Sequence, residues 1–258
     1  AEIIIEAMGL ENANSVAAPG SADGPGGAGE EGELEEGDKT RYRAIAARCN
    51  YLAIDRPDLQ YAAKEACRTM SCPKKEDMAK LKRIGRYLIG RMRVVYTFEW
   101  QEAPSGLTCY TDANWAGCPT TRKSTSAGTV SYGRHLIKTW SKTQATVALS
   151  SGEAELHGIV KATAESIGLQ KMMRDFGVRI TNKTPIYADA SAALGMAQRS
   201  GVRRVKHLDT QILWVQEKRT REVVEFRKVK GTENPADMMT KHVSRDLIEK
   251  YLKELRLE

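Results

Sequence analysis

The chain has 258 residues, of which 41% are hydrophobic and 28% charged, and its net charge is +7. That balance suits a globular protein with ample material for a core, and excludes a disordered or fibrous chain. No apolar run approaches the roughly 20 residues that a helix needs to cross a bilayer, so no membrane partner is expected.

Charge is unevenly placed. Residues 1–40 carry ten acidic groups against one Lys, whereas residues 41–105 are net +7 and residues 106–242 net +9. A polyanion is the natural partner for the basic part, although a solvated basic surface would have the same composition. Cys49, Cys67, Cys72, Cys109 and Cys118 form no CxxC pair, which argues against a disulfide framework or a zinc site. They read as reduced thiols of an intracellular protein.

The opening residues AEIII lack an initiator Met and a basic n-region, so they read as the interior of something longer, not as a signal peptide. Residues 17–40 (AAPGSADGPGGAGEEGELEEGDKT) have almost nothing to bury and are expected to form a flexible acidic linker. Residues 1–40 are therefore set apart from a helical unit over 41–105. In its first helix Ala44, Ala47, Arg48 and Tyr51 share a face, and the helix should stop before Arg56-Pro57. Pro57 suits the first turn of a second helix reaching Met70. A third opens at Pro73, with Met78, Leu81, Ile84 and Leu88 apolar and Lys80, Lys82, Arg83 and Arg86 on a basic face. A strand is expected near 94–100.

After Gly106 the pattern becomes α/β. Strands are expected at 107–113, 127–132 and 135–141, the last two as a hairpin. A long helix over 151–175 starts at Ser150-Ser151-Gly152-Glu153, which has capping-box spacing. A strand at 184–188, a helix at 190–199, a basic loop, a helix at 207–220 and a strand at 223–229 complete a domain over 106–242. Residues 243–258 form a terminal helix.

Four carboxylates fall at element ends in this domain: Asp112, Glu155, Asp189 and Asp237. Each has a plain alternative: Asp112 as a turn-former, Asp189 as a helix N-cap, Asp237 as a favourable charge at a helix start. If the strands carrying Asp112 and Asp189 lie side by side, the four converge. Such a cluster repels itself unless cations occupy it, and oxygen-liganded Mg²⁺ suits it, with Mn²⁺ as the alternative. Two ions about 4 Å apart would stabilise both the attacking and the leaving oxygen of a phosphodiester displacement. Glu153 and Glu155 lie about 200° apart around a helix, so only one can face Asp112. Periodicity leans to Glu155, because Glu153 already has a capping task.

YTDANWAG (110–117), TRKSTS (121–126), LSSGEAEL (149–156), YADASAAL (187–194), VKHLD (205–209) and NPADMMTK (234–241) together resemble the ribonuclease H domain of copia-type LTR retrotransposon polyproteins. Residues 42–90 resemble the helical connection that joins reverse transcriptase to ribonuclease H in those polyproteins, and residues 7–20 are similar to the tail of the polymerase region. The resemblance implies a ribonuclease H-like α/β fold, a mixed five-stranded sheet flanked by helices, preceded by the small helical connection. It implies that Asp112, Glu155, Asp189 and Asp237 bind metal and catalyse hydrolysis of the RNA strand of an RNA–DNA hybrid. Arg122, Lys123 and Ser124, with Arg203, Arg204 and Lys206, are then expected to contact nucleic acid. The remaining polymerase region of a polyprotein is a further expected partner, with a cytoplasmic or nuclear setting or a virus-like particle.

Two features depart from the wider pattern. The stretch VKGTE (229–233) holds no His where many ribonucleases H have one; His207 is the nearest candidate, and a structural role suits it better. No YxDD-type polymerase motif is present, so no polymerase activity is expected. The alternative function is a catalytically idle, nucleic-acid-binding remnant, which would bind hybrid without cutting it. Integrase-like strand transfer would call for a different topology and often an HHCC zinc module, and four His offer no such spacing.

Overall fold

The computed structural model describes residues 1–21, 32–201 and 209–258. Two compact units form, one from Ala1–Thr97 with Lys241–Glu258 and the other from Phe98–Thr240.

The first unit is helical: α1 (Glu2–Ala7), α2 (Glu36–Leu52), α3 (Pro57–Arg68), α4 (Lys75–Gly90) and, from the chain end, α8 (Arg245–Glu254). Its core joins Ile4, Ile5 and Met8 near the chain start to Tyr42, Ile45, Ala46 and Cys49 of α2, Leu59, Ala63 and Ala66 of α3, and Leu81, Ile84 and Leu88 of α4. Residues 1–10 are therefore part of a core and not only a tail. The buried stripe of α2 is the i, i+3, i+4, i+7 set from Tyr42, whereas the face of Ala44, Ala47, Arg48 and Tyr51 meets solvent. Of the expected acidic linker, 22–31 lie outside the described residues, and Glu36–Thr40 belong to α2, whose first turn carries Glu36 and Asp38 where a helix dipole favours negative charge.

No strand forms over 94–100. Instead Val95 and Glu258 exchange backbone hydrogen bonds of 2.6 and 3.1 Å, and Tyr96 and Leu257 form an isolated antiparallel bridge. At the α3 entry, buried Arg56 donates to both Asp58 oxygens, at 2.9 and 2.7 Å, and to the carbonyls of Arg91 and Met92 beyond α4. The Tyr87 hydroxyl donates to Asp58 Oδ2 at 2.8 Å. Burial would lower the Arg56 pKa, but Asp58 outweighs it and the guanidinium is held above its ordinary value. Burial, and then the Asp58 charge, push the Tyr87 phenol far up.

The second unit is α/β. Strands β1 (Leu107–Asn114), β2 (Thr125–Tyr132) and β3 (His135–Thr143) precede α5 (Ser151–Asp175), followed by β4 (Thr184–Ala188), α6 (Ser191–Gln198), α7 (Asp209–Thr220) and β5 (Val224–Lys228). The sheet order is β3-β2-β1-β4-β5, with β1–β2 and β2–β3 antiparallel and β1–β4 and β4–β5 parallel. This is the expected mixed five-stranded sheet flanked by helices. Leu107, Cys109, Ile186 and Phe226 of the strands pack with Leu156 and Ile159 of α5, Leu194 of α6 and Ile212 of α7. At Gly128 only a hydrogen fits, because a Cβ would meet the Trp140 ring at 2.2 Å.

Asp58→Ala leaves the Arg56 charge buried without its carboxylate and should destabilise the protein by about 3–5 kcal/mol. Ile3→Ala, at an exposed position of α1, should change stability by less than about 0.5 kcal/mol. Denaturant midpoints of the two variants check both.

Candidate metal centre

The parallel register places the site. Tyr110 of β1 pairs with Tyr187 of β4, and their rings stack at 4.8 Å. Asp112 and Asp189 each stand two residues further along, so they lie side by side just beyond the β1–β4 pairing. Glu155 comes from the second turn of α5, and carboxylate oxygens of Asp112, Glu155 and Asp189 all lie within 4.8 Å of one another. Asp112 and Glu155 are buried, at 5% and 7% exposure. Asp189 is half-buried.

Local chemistry explains the choice of glutamate. Ser150 caps α5, its hydroxyl accepting the Glu153 N–H at 3.2 Å, while the Glu153 carboxylate accepts the Leu149 N–H at 2.9 Å and lies 3.7 Å from His157 Nε2. Glu153 is thus spent on the helix start, and Glu155 points to the cluster. Burial first, then the charges of Asp112 and Asp189, push the Glu155 carboxyl up to about 9, against a smaller opposing effect of the Ala113 N–H. Asp237 also raises it, although Asp237 is not within the 4.8 Å group. Glu155 Oε2 is buried with no hydrogen-bond donor. A buried carboxylate oxygen without a donor, in a group of three acids, fits a hard divalent cation.

The plain alternatives for two of the acids find no support in the geometry. Helix α6 is capped at Ala190 without a side-chain bond, so Asp189 is not its N-cap. Asp112 pairs with Ala127 within the β1–β2 ladder and does not make a turn.

Several supporting residues were not singled out from the sequence. Thr240 is fully buried, and its hydroxyl donates to Asp112 Oδ2. Asn234 clamps the NPAD turn, a 3-10 turn over Pro235–Met239, onto β1, donating to the Thr111 carbonyl at 2.9 Å and accepting from the Ala236 N–H at 3.2 Å. Gln144 donates to Ser126 Oγ at 2.7 Å and to the Ala154 carbonyl at 2.8 Å, tying α5 to β2. Lys228 donates to the Asp189 carbonyl and, at 2.9 Å, to Ser191 Oγ. Thr240 and Asn234 lie inside the NPADMMTK motif, and that was the available signal; Gln144 and Lys228 had none.

Among the expected nucleic-acid contacts, Arg122 is exposed and Lys123 half-exposed. Ser124 is corrected: it is fully buried, and its Oγ accepts the Ala116 N–H at 3.0 Å, so it shapes the β1–β2 loop and cannot reach a ligand. Arg203, Arg204, Lys206 and His207 lie outside the described residues.

A mixed-sheet α/β unit with three acids gathered at the ends of two parallel strands defines a protein with a candidate divalent-metal centre. The chain matches no protein-family model. It is 30% identical over 219 residues to the retrovirus-related Pol polyprotein from transposon RE1 of Arabidopsis thaliana, covering 84% of this chain and 15% of that protein. It is 31% identical over 213 residues to the corresponding polyprotein from transposon TNT 1-94 of Nicotiana tabacum, covering 82% of this chain and 16% of the relative. The chain belongs to the retrovirus-related Pol polyproteins of transposons, and spans about a sixth of the length of these relatives. Among solved structures, LC11-RNase H1, isolated from compost, aligns at 15% identity with a TM-score of 0.42, covering 57% of this chain and 99% of the other.

A carboxyl whose folded pKa is raised costs stability as pH climbs from its unfolded value to its folded one, because only the unfolded chain ionises freely. Without metal, stability should therefore fall between about pH 5 and pH 9, by at most about 1.4 kcal/mol per unit. In Glu155→Gln the slope should be flatter, as read by denaturant unfolding in EDTA at three pH values.

Proposed function

We propose that the Phe98–Thr240 unit is a metal-dependent ribonuclease that hydrolyses the RNA strand of an RNA–DNA hybrid, within a transposon Pol polyprotein. The convergence of Asp112, Glu155 and Asp189 within 4.8 Å carries this reading. Membership of the retrovirus-related Pol polyproteins of transposons supports it.

In this reading Asp112, Glu155 and Asp189 hold Mg²⁺, two ions in all, with Asp237 completing the acidic set and Mn²⁺ as a substitute. Bound there, the cations would lower the pKa of a water and neutralise charge at the phosphate being cut. The chain's own residues supply the rest. Thr240 fixes the Asp112 carboxylate by donating to it. Asn234 keeps the NPAD turn, and with it Asp237, against β1. Glu155 must give up the proton that its burial favours before it can act as a ligand, so cation loading becomes easier as pH rises. Arg122 and Lys123 lie in the β1–β2 loop that follows the strand carrying Asp112 and suit the phosphates of the bound strands. Selection of hybrid would rest on groove shape and the 2′-hydroxyl, not on base sequence.

A labelled hybrid incubated with Mg²⁺ should lose its RNA strand, and EDTA should abolish the cut. Asp112→Asn should lower the rate about 100-fold or more, and Thr240→Val, which removes the hydroxyl that bonds Asp112 Oδ2 and the Asp237 carbonyl, about 10–100-fold. Tight binding of hybrid with no cut by the unaltered chain, in Mg²⁺ or Mn²⁺, would leave the idle binding remnant instead.

A further inference from the structure

Beside the carboxylates, three apolar side chains face solvent where a core would claim them: Trp115 at 46% exposure, Val147 at 47% and Leu149 at 73%. They come from two of the three segments that carry the acids. Trp115 follows the end of β1, three residues after Asp112, and Val147 and Leu149 precede the cap of α5, whose second turn holds Glu155. The indole N–H of Trp115 donates to the Ala148 carbonyl at 3.0 Å, so the two segments are joined through the ring itself.

The ring is held, not merely exposed. On one side, Asn114 ends the β1–β2 ladder opposite Thr125. On the other, Ala116 adopts a φ of +51° and gives its N–H to Ser124 Oγ. Gly117 then turns so tightly that a Cβ would lie 2.5 Å from Asn114 Nδ2. A held indole, half exposed and with its only donor satisfied, offers aromatic surface at little cost in entropy on binding.

We infer that Trp115, with Leu149 and Val147, forms a platform for the sugar and base of a nucleotide next to the phosphate at the carboxylates. Three residues of chain reach at most about 11 Å, and a duplex strand advances about 3.4 Å per nucleotide. A strand that leaves its phosphate at Asp112 in the direction of the β1–β2 loop would then lay a nucleotide within about three positions of the cut across this platform. Apolar and aromatic faces suit a base or sugar, which unlike a phosphate needs no cation. The inference rests on the ribonuclease reading for its ligand, but it concerns binding, which can be measured without cleavage.

The test is titration of the full chain with an RNA–DNA hybrid in EDTA, followed by tryptophan emission and by anisotropy of a labelled hybrid, then cleavage kinetics in Mg²⁺. Hybrid should quench tryptophan emission in the unaltered chain. Trp115→Phe should lose most of that quench while keeping affinity within about threefold, since a ring remains. Trp115→Ala should weaken binding about tenfold, raising KM with kcat within twofold. Leu149→Ser, at an exposed position that folding does not need, should weaken binding about threefold. Binding by Trp115→Ala within twofold of the unaltered chain, or a quench that persists in Trp115→Phe, overturns the platform; should Trp115→Ala not fold, unchanged binding by Leu149→Ser does so. Hybrid bound with the expected variant effects but never cut supports the platform and removes the ribonuclease. No binding of hybrid by the unaltered chain removes both.

Discussion

Mutual repulsion among Asp112, Glu155 and Asp189 is the constraint on which the rest of the α/β unit depends. Their oxygens lie within 4.8 Å, and each ionised pair at that spacing opposes the other by about 3.5 kcal/mol at an effective dielectric near 20. A flexible chain would relieve this by spreading the groups apart. Here two come from adjacent parallel strands and the third from a helix packed on them, so spreading would break the ladder or the core. Burial and the neighbouring charges push the Glu155 carboxyl up, which favours its neutral form and eases the repulsion.

Holding such a cluster needs polar contacts in places where a core would favour apolar ones. Thr240, Asn234 and Gln144 are buried or nearly so, and each spends its side chain on a strand, a turn or another side chain next to the acids. Buried donors of this kind hold one geometry because leaving them unpaired costs about 1–3 kcal/mol each. Gly158 plays the steric counterpart: a Cβ there would come within 3.2 Å of Thr111 Oγ1, so the helix carrying Glu155 can lie close on β1. Ser124 belongs with this group, since burial assigns its hydroxyl to the loop that presents Trp115.

The helical unit is organised differently. Its core is a union of short stripes from four helices, including α1, where Ile4 and Ile5 are buried. A deep polar feature, Arg56 with Asp58 and Tyr87, fixes the start of α3 and the exit of α4 together, because the same guanidinium reaches the carbonyls of Arg91 and Met92. The ends of its elements are therefore set by charge pairing as much as by apolar packing.

By itself the sequence determined the elements of the α/β unit to within about two residues, because alternation, capping residues and turn glycines are local signals. It also singled out four acids, of which Asp112, Glu155 and Asp189 converge within 4.8 Å and Asp237 does not, and preferred Glu155 to Glu153, because a helix turns by a fixed 100° per residue. Where a partner lay far along the chain, it could say less. The buried face of α2, the place of residues 1–10 in a core, and the absence of a strand at 94–100 were decided by packing between distant segments. So were the hydroxyl of Thr240 on Asp112, 128 positions away, and the burial of Ser124. A side chain's type limits the bonds it can make, but only the folded neighbours decide which bond it makes.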